Sequence, residues 1–193
     1  MIALLGDSHY RVVELAQETL CSLFGERCEL MEEHLEETMP RVVNNISEKR
    51  ESLSAGANEL LGVLQGAYGG DRLVPQLLKM LDIRERMKTK TTAVEVLTVM
   101  LVEASEFCSS YANVKTLVAR ACALMHEHSS KRTVMMPCLG VVLAARDQNY
   151  EAVMKSAIQF VPPDHQAVLK EAARLHAPDL LENLESSQFR FSL

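Results

Sequence analysis

The chain has 193 residues, 48% hydrophobic and 24% charged, which are the proportions of a folded globular protein. Its formal net charge of -6 argues against binding along a nucleic-acid backbone, because that binding requires a basic face. No run of about 18 apolar residues predicts a membrane span, and the first residues do not resemble a signal peptide. We therefore expect a cytoplasmic protein that binds neither nucleic acid nor membrane.

The apolar residues are of a kind that favours helices. Aromatic residues make up 5% of the chain, Trp is absent, and ten Met accompany abundant Leu, Val and Ala. Straight-chain residues and Ala lose little side-chain freedom in a helix. No segment shows the strict two-residue alternation of a strand. The five cysteines form no C-x-x-C pair, as is typical of buried free thiols in a reducing compartment.

Apolar residues recurring at three- and four-residue steps predict a series of helices. Met1 to Leu5 resembles the last turn of an earlier helix, so the chain is expected to begin within a repeat. The helices that follow are predicted at Arg11 to Phe24, Leu30 to Ile46, Leu53 to Gly69, Leu73 to Asp82, Thr91 to Phe107, Ala112 to His128, Val134 to Ala145, Tyr150 to Phe160, His165 to Leu175 and Asp179 to Glu185.

The turns between these helices are regularly spaced. Their centres fall near Ser8, Ser47, Ile83 and Ser130, a period of about 36 to 47 residues that is typical of HEAT-like helix pairs. One such pair cannot bury its apolar stripe alone, whereas stacked pairs share a core. The sequence thus predicts an all-α fold, an α-solenoid of antiparallel HEAT- or TOG-type helix pairs. We expect one domain over residues 1–185 and a flexible tail over residues 186–193.

Three stretches resemble known families. The stretch from Leu5 to Ala16, LGDSHYRVVELA, is similar to the HEAT motif in which an Asp closes one helix and Arg-Val with a later Ala opens the next. The stretch from Arg72 to Val96 resembles a segment of CLASP (CLIP-associating) proteins, in which a Leu-x-Pro-x-Leu-Leu helix meets a Lys-x-Lys turn and a long helix. The stretch from Glu151 to Leu184 resembles the end of the C-terminal TOG-like domain of that family.

The resemblance implies control of microtubule dynamics. CLASP proteins bind tubulin or the microtubule lattice, promote rescue and suppress catastrophe, and their C-terminal domain docks plus-end and kinetochore partners and self-associates. TOG domains that grip curved tubulin place a Trp in their first intra-repeat turn, and this chain has none. Either the repeat that bears it precedes Met1, or the domain does not bind free tubulin in that way.

Basic residues concentrate in three of the predicted turns. The predicted partner-binding residues are Lys49, Arg50, Arg84, Arg86, Lys88, Lys90, Lys131 and Arg132. Because equivalent turns of a solenoid line one edge, these residues predict a basic stripe that attracts an acidic protein such as tubulin. The alternative is that they only complement the macrodipoles at helix C-termini.

We find no sequence signal for an enzyme, a cofactor or a metal site. The chain contains no nucleophile elbow, zinc-protease, P-loop or dinucleotide motif. His126 and His128 superficially suggest a metal pair, but residues two apart on a helix point in different directions. A solvated helix end explains these two histidines better.

These features together predict a non-catalytic interaction domain of a CLASP-type regulator. It is expected on cytoplasmic microtubules and the spindle, where its partner is tubulin, the microtubule or a plus-end or kinetochore adaptor. Two alternatives stay open. One is a HEAT-repeat scaffold for a non-cytoskeletal assembly, and the other is a homodimerising regulatory subunit.

Overall fold

The computed structural model describes residues 1–82 and 86–191, with side chains for residues 1–81 and 86–187. Within these residues all regular structure is helical and no β-strand is present. This confirms the predicted all-α class of packed helices. The chain divides into two compact units, Met1–Val96 and Leu97–Leu193. The prediction of a single domain over residues 1–185 stays a prediction.

The first unit is built from amphipathic helices around one core. Its elements are a 3-10 helix, Ile2–Gly6, then α1, Tyr10–Glu26, α2, Cys28–Met31, a second 3-10 helix, Glu32–His34, α3, Leu35–Ile46, α4, Glu51–Asp82, and most of α5, Met87–Met100. In α1 the buried residues Val13, Ala16, Leu20 and Phe24 recur every three or four positions. They therefore form one helical face, which packs against α4.

The long helices of the first unit run between two ends of that unit, which we call the near end and the far end. At the near end, the Arg50 guanidinium at the start of α4 lies over the ring of Tyr10 at the start of α1. At the far end, the Tyr68 hydroxyl of α4 donates a hydrogen bond to the carbonyl oxygen of Cys28, just after α1. The helix α3 returns from the far end to the near end. The turn that follows the first 3-10 helix and the turn that follows α3 therefore lie together at the near end.

The long helix α4 is broken at Gly69. This residue has a φ of 69° and a ψ of 170°, a backbone conformation that is open almost only to glycine. The sequence predicted a break at Gly69-Gly70, and the structure confirms it. After the break the chain runs back along α3, where Lys79 forms an ion pair with Glu36 at 2.8 Å.

Two alanine substitutions in α4 are expected to have opposite effects on stability. Gly69→Ala places a side chain in a conformation that costs about 1 to 3 kcal/mol, so the free energy of unfolding should fall by that order. Gly66→Ala is the matched control, because Gly66 lies in helical backbone with no neighbouring atom within 4 Å of an added Cβ. That change should raise the free energy of unfolding by roughly 0.5 to 1 kcal/mol. Urea unfolding followed by circular dichroism measures both, and equal shifts for the two variants would contradict the assigned break.

The second unit has its own core. Beyond the end of α5 it contains a 3-10 helix, Leu101–Glu103, then α6, Ser105–Ser109, α7, Tyr111–Glu127, α8, Arg132–Gln148, α9, Tyr150–Gln159, α10, Pro163–His176, and α11, Pro178–Phe191. Val118, Cys122, Val142 and Met154 are fully buried between these helices. The helix α7 contacts α8, α9 and α10, so it is central to the unit.

Asn149 joins several elements of the second unit. Its side-chain oxygen accepts a hydrogen bond from the Ala152 amide at 3.1 Å and so caps α9. Its amide nitrogen donates to the carbonyl oxygen of Cys108 at 2.8 Å, just before α7 begins. The end of α8 therefore lies beside the start of α7, and these two helices form an antiparallel pair as predicted.

Several predicted helix boundaries were wrong. The helix expected from Leu30 begins at Leu35, because a short α-helix and a 3-10 turn precede it. The helix expected over Thr91 to Phe107 begins at Met87 and ends at Met100. It is followed by a 3-10 turn and the separate short α6. The last helix continues to Phe191, through most of the predicted tail, whose flexibility stays a prediction.

Candidate protein-interaction site

The near end of the first unit brings together basic residues from distant parts of the chain. Lys49 and Arg50 are exposed in the turn between α3 and α4. The Lys88 ammonium, on α5, donates a hydrogen bond to the carbonyl oxygen of Ser47 in that turn. Arg86 is exposed immediately before α5. We call Lys49, Arg50, Arg86 and Lys88 the near-end basic cluster.

A second contact holds the start of α5 in this position. The Thr89 hydroxyl donates to the side-chain oxygen of Asn44, near the end of α3, at 2.6 Å. Thr89 is buried, so this hydrogen bond satisfies a polar group inside the packed contact. The placement of Lys88 beside the α3–α4 turn is therefore a consequence of helix packing.

Tyr10 links the turn that precedes α1 to the near-end basic cluster. The Arg50 guanidinium lies 3.8 Å from the centroid of the Tyr10 ring, and the Arg11 guanidinium lies 5.8 Å from it. A cation over an aromatic face gains about 0.5 to 1 kcal/mol at an exposed site. This contact positions Arg50 without neutralising its charge. Tyr10 was not predicted as a site residue, because an aromatic residue at a helix start is not by itself a signal for binding.

An open cleft of about 500 Å³ lies beside the cluster. It is lined by both signs of charge, with Asp7 and Glu48 opposing Arg41 and Arg50. The Arg41 guanidinium already forms an ion pair with Glu37 at 3.5 Å. Lys49 adjoins the lining residue Glu48, and the Lys88 ammonium bonds to the same turn, so these two cations lie at the edge of the cleft.

The cations of the cluster lack the acidic partners that Arg41, Arg72 and Lys79 of the same unit have. Among the residues that the structure describes, no carboxylate lies within ion-pair distance of Lys49, Arg50 or Lys88. By contrast, Arg72 pairs with Glu32 at 3.6 Å. The cluster thus offers uncompensated charge to an external partner.

The position of Lys88 and Lys90 argues against a role in stabilising their own helix, α5. Both lie in the first turn of α5, where the macrodipole is positive and a cation costs about 0.3 to 1 kcal/mol. The sequence analysis had placed both residues in a turn, which was wrong because α5 begins at Met87. Arg132 is likewise the first residue of α8. Complementing the C-terminus of their own helix therefore does not account for these three residues. Lys88, however, bonds to the carbonyl oxygen of Ser47, the C-cap of α3, so it does complement the C-terminus of that neighbouring helix.

The remaining predicted site residues stand apart from the cluster. Arg84 lies outside the described residues. Lys90 is half-buried on α5. Lys131 and Arg132 are exposed at the start of α8, in the second unit. The prediction that all three turns form one stripe stays a prediction, because the structure assembles only the first-unit residues.

The cysteines agree with the expectation of free thiols. None of the five forms a disulfide, and Cys108, Cys122 and Cys138 are buried. Burial raises the pKa of the Cys122 and Cys138 thiols to about 12, so both are protonated at neutral pH. Cys21 and Cys28 are only half-buried. The buried thiols act as small apolar core residues.

Comparison with known proteins gives one relevant similarity. No known protein-family profile matches the chain. A CLIP-associated protein of Arabidopsis thaliana is 28% identical to it over 91 residues. The matched segment covers 47% of this chain and 6% of the length of the Arabidopsis protein. The similarity supports a CLASP-like relationship for that part of the chain.

None of the described helices is both long and apolar enough to cross a bilayer.

Proposed function

We propose that this chain is a non-catalytic protein-interaction domain of a CLASP-like, microtubule-associated regulator. The near-end basic cluster is the observation that carries the proposal. Packing brings Lys49, Arg50, Arg86 and Lys88 to one end of the first unit from two separate chain segments. The similarity to a CLIP-associated protein supports the cytoskeletal setting.

An acidic protein surface is the partner that fits this cluster. The whole chain carries a formal net charge of -6, so a local group of unpaired cations stands out against an acidic background. Such a group raises the association rate of an oppositely charged partner more than its final affinity. Tubulin is an acidic protein of the required kind. A plus-end or kinetochore adaptor with an acidic face is the other partner of the same class.

Co-sedimentation of the purified chain with microtubules at about 50 mM and about 150 mM salt tests the proposal. We expect binding that weakens at the higher salt, because exposed charges are screened over about 8 Å at physiological ionic strength. Gel filtration with unpolymerised tubulin, run in parallel, tests whether a domain without Trp also binds the free subunit. An absence of binding to both forms of tubulin would contradict direct docking and leave an adaptor as the partner. Light scattering of the chain alone tests the homodimer alternative.

A further inference from the structure

Two helices of the second unit bring two histidines and a carboxylate together. His126 lies in the last turn of α7, while Asp164 and His165 lie in the first turn of α10. The Nε2 atom of His126 is 3.5 Å from the Asp164 carboxylate, and the Nε2 atom of His165 is 3.9 Å from it. One ligand atom from each of the three residues lies within 4.8 Å of the other two. This is the one group of at least three such side chains found in the part of the chain that the structure describes.

The separations fit a metal ion better than direct hydrogen bonding. At 3.5 and 3.9 Å, the two contacts to the carboxylate are longer than normal N–H···O hydrogen bonds. Ligands that each lie about 2.0 to 2.1 Å from a tetrahedral zinc ion are roughly 3.3 Å apart. Small side-chain rotations therefore suffice to bring the three ligand atoms to those distances.

The two imidazole rings present their Nε2 atoms to the same carboxylate. Their centroids are 4.4 Å apart, so the rings lie side by side. Their Nδ1 atoms are buried and have no hydrogen-bond partner among the described residues. The Nε2 atoms instead face Asp164, whose side chain is 60% exposed. The ligand atoms are thus directed to a point at the surface that an ion can reach from solvent.

We propose that His126, Asp164 and His165 form a binding site for a divalent transition metal, with Zn²⁺ as the preferred ion. Imidazole and carboxylate ligands suit Zn²⁺, whereas Mg²⁺ and Ca²⁺ prefer sites made of oxygen atoms alone. Three protein ligands leave the fourth position of a tetrahedral ion to water. The bound ion joins the C-terminal end of α7 to the N-terminal end of α10. The site is independent of the near-end basic cluster, which belongs to the other unit.

Calorimetric titration of the chelator-treated full chain with Zn²⁺ tests the site. We expect saturable binding of one ion at this site, with at least about a tenfold loss of affinity in His126→Ala, Asp164→Asn and His165→Ala, because even residues behind the direct ligands typically contribute that much. Substitution with Co²⁺ supplies a second readout, since an absorption band of tetrahedral Co²⁺ should appear in the wild type and be lost in the variants. Zn²⁺ should also raise the melting temperature of the wild type and leave that of His165→Ala unchanged.

His34→Ala supplies a matched control. The Nε2 atom of His34 lies 3.7 Å from the Glu33 carboxylate, so this residue is a histidine beside a single carboxylate in the first unit. The control should bind Zn²⁺ as tightly as the wild type. A wild type that binds no Zn²⁺ would overturn the proposal. An equal loss of affinity in His34→Ala and His165→Ala would overturn it too, because binding would then reflect general surface histidines.

Discussion

Reversing the charges of Lys49 and Arg86 together, as Lys49→Glu with Arg86→Glu, is expected to lower microtubule affinity roughly 4- to 900-fold at low salt. An exposed ion pair is worth about 0.2 to 1 kcal/mol, and each reversal turns one attraction into a repulsion of similar size. Both side chains are exposed, so the domain should stay folded. The two were chosen because Arg50 packs on Tyr10 and Lys88 bonds to Ser47. Co-sedimentation over a range of microtubule concentrations measures the effect.

The matched control reverses two cations at the far end of the first unit, Arg27→Glu with Arg72→Glu. Arg27 follows α1 and is exposed, and Arg72 pairs with Glu32 beyond the break in α4. This variant has the same net charge as the test variant, so it should retain most of the binding. An equal loss in both would show that net charge alone governs the interaction, and the near-end assignment would be wrong. Reversal of Lys131 and Arg132 reports separately whether the turn of the second unit participates.

Replacing Phe24 with alanine is expected to destabilise the first unit by about 3 to 5 kcal/mol. Phe24 is fully buried, and truncation of a buried Phe removes both its transfer free energy and its packing contacts. Its ring meets the Tyr68 ring edge to face, with centroids 6.1 Å apart. Such aromatic pairs add about 0.5 to 1.5 kcal/mol beyond the area that they bury. Urea unfolding should show the change as a lower midpoint.

Phe24→Ala should also weaken the packing of Tyr68 at the far end of the first unit. The Tyr68 hydroxyl donates to the Cys28 carbonyl oxygen, and burial raises the Tyr68 pKa to about 12, so the hydroxyl remains a donor at neutral pH. Phe160→Ala is the control, because Phe160 is 43% exposed and its ring contacts Tyr111 and Lys115. Its two ring contacts are together worth about 1 to 2.5 kcal/mol, so its effect should stay below that of Phe24→Ala. Equal destabilisation by the two variants would contradict the core position of Phe24.

The sequence was sufficient to predict where the helices lie, but not all of the residues at which they begin and end. Apolar periodicity is a local property, so α1, α7 and α9 were predicted to within a few residues. The break at Gly69 was predictable for the same reason, since glycine acts through its own backbone. The end of α5 at Met100 was missed. There the Gln148 side chain donates a hydrogen bond to the carbonyl oxygen of Val102 at 3.2 Å. The residues near Val102 do not predict that contact.

The basic residues of the candidate site were visible in the sequence because charge is a property of composition. Only the tertiary structure decided that Lys88 lies against the α3–α4 turn, that Tyr10 supports Arg50, and that α5 begins early enough to place Lys88 at its positive end. The contact between His126 and Asp164 could not be predicted from the sequence either, because these residues come from different helices. Helical periodicity and charge can be predicted from neighbouring residues, whereas the contact between two helix ends depends on how the buried faces of the helices pack.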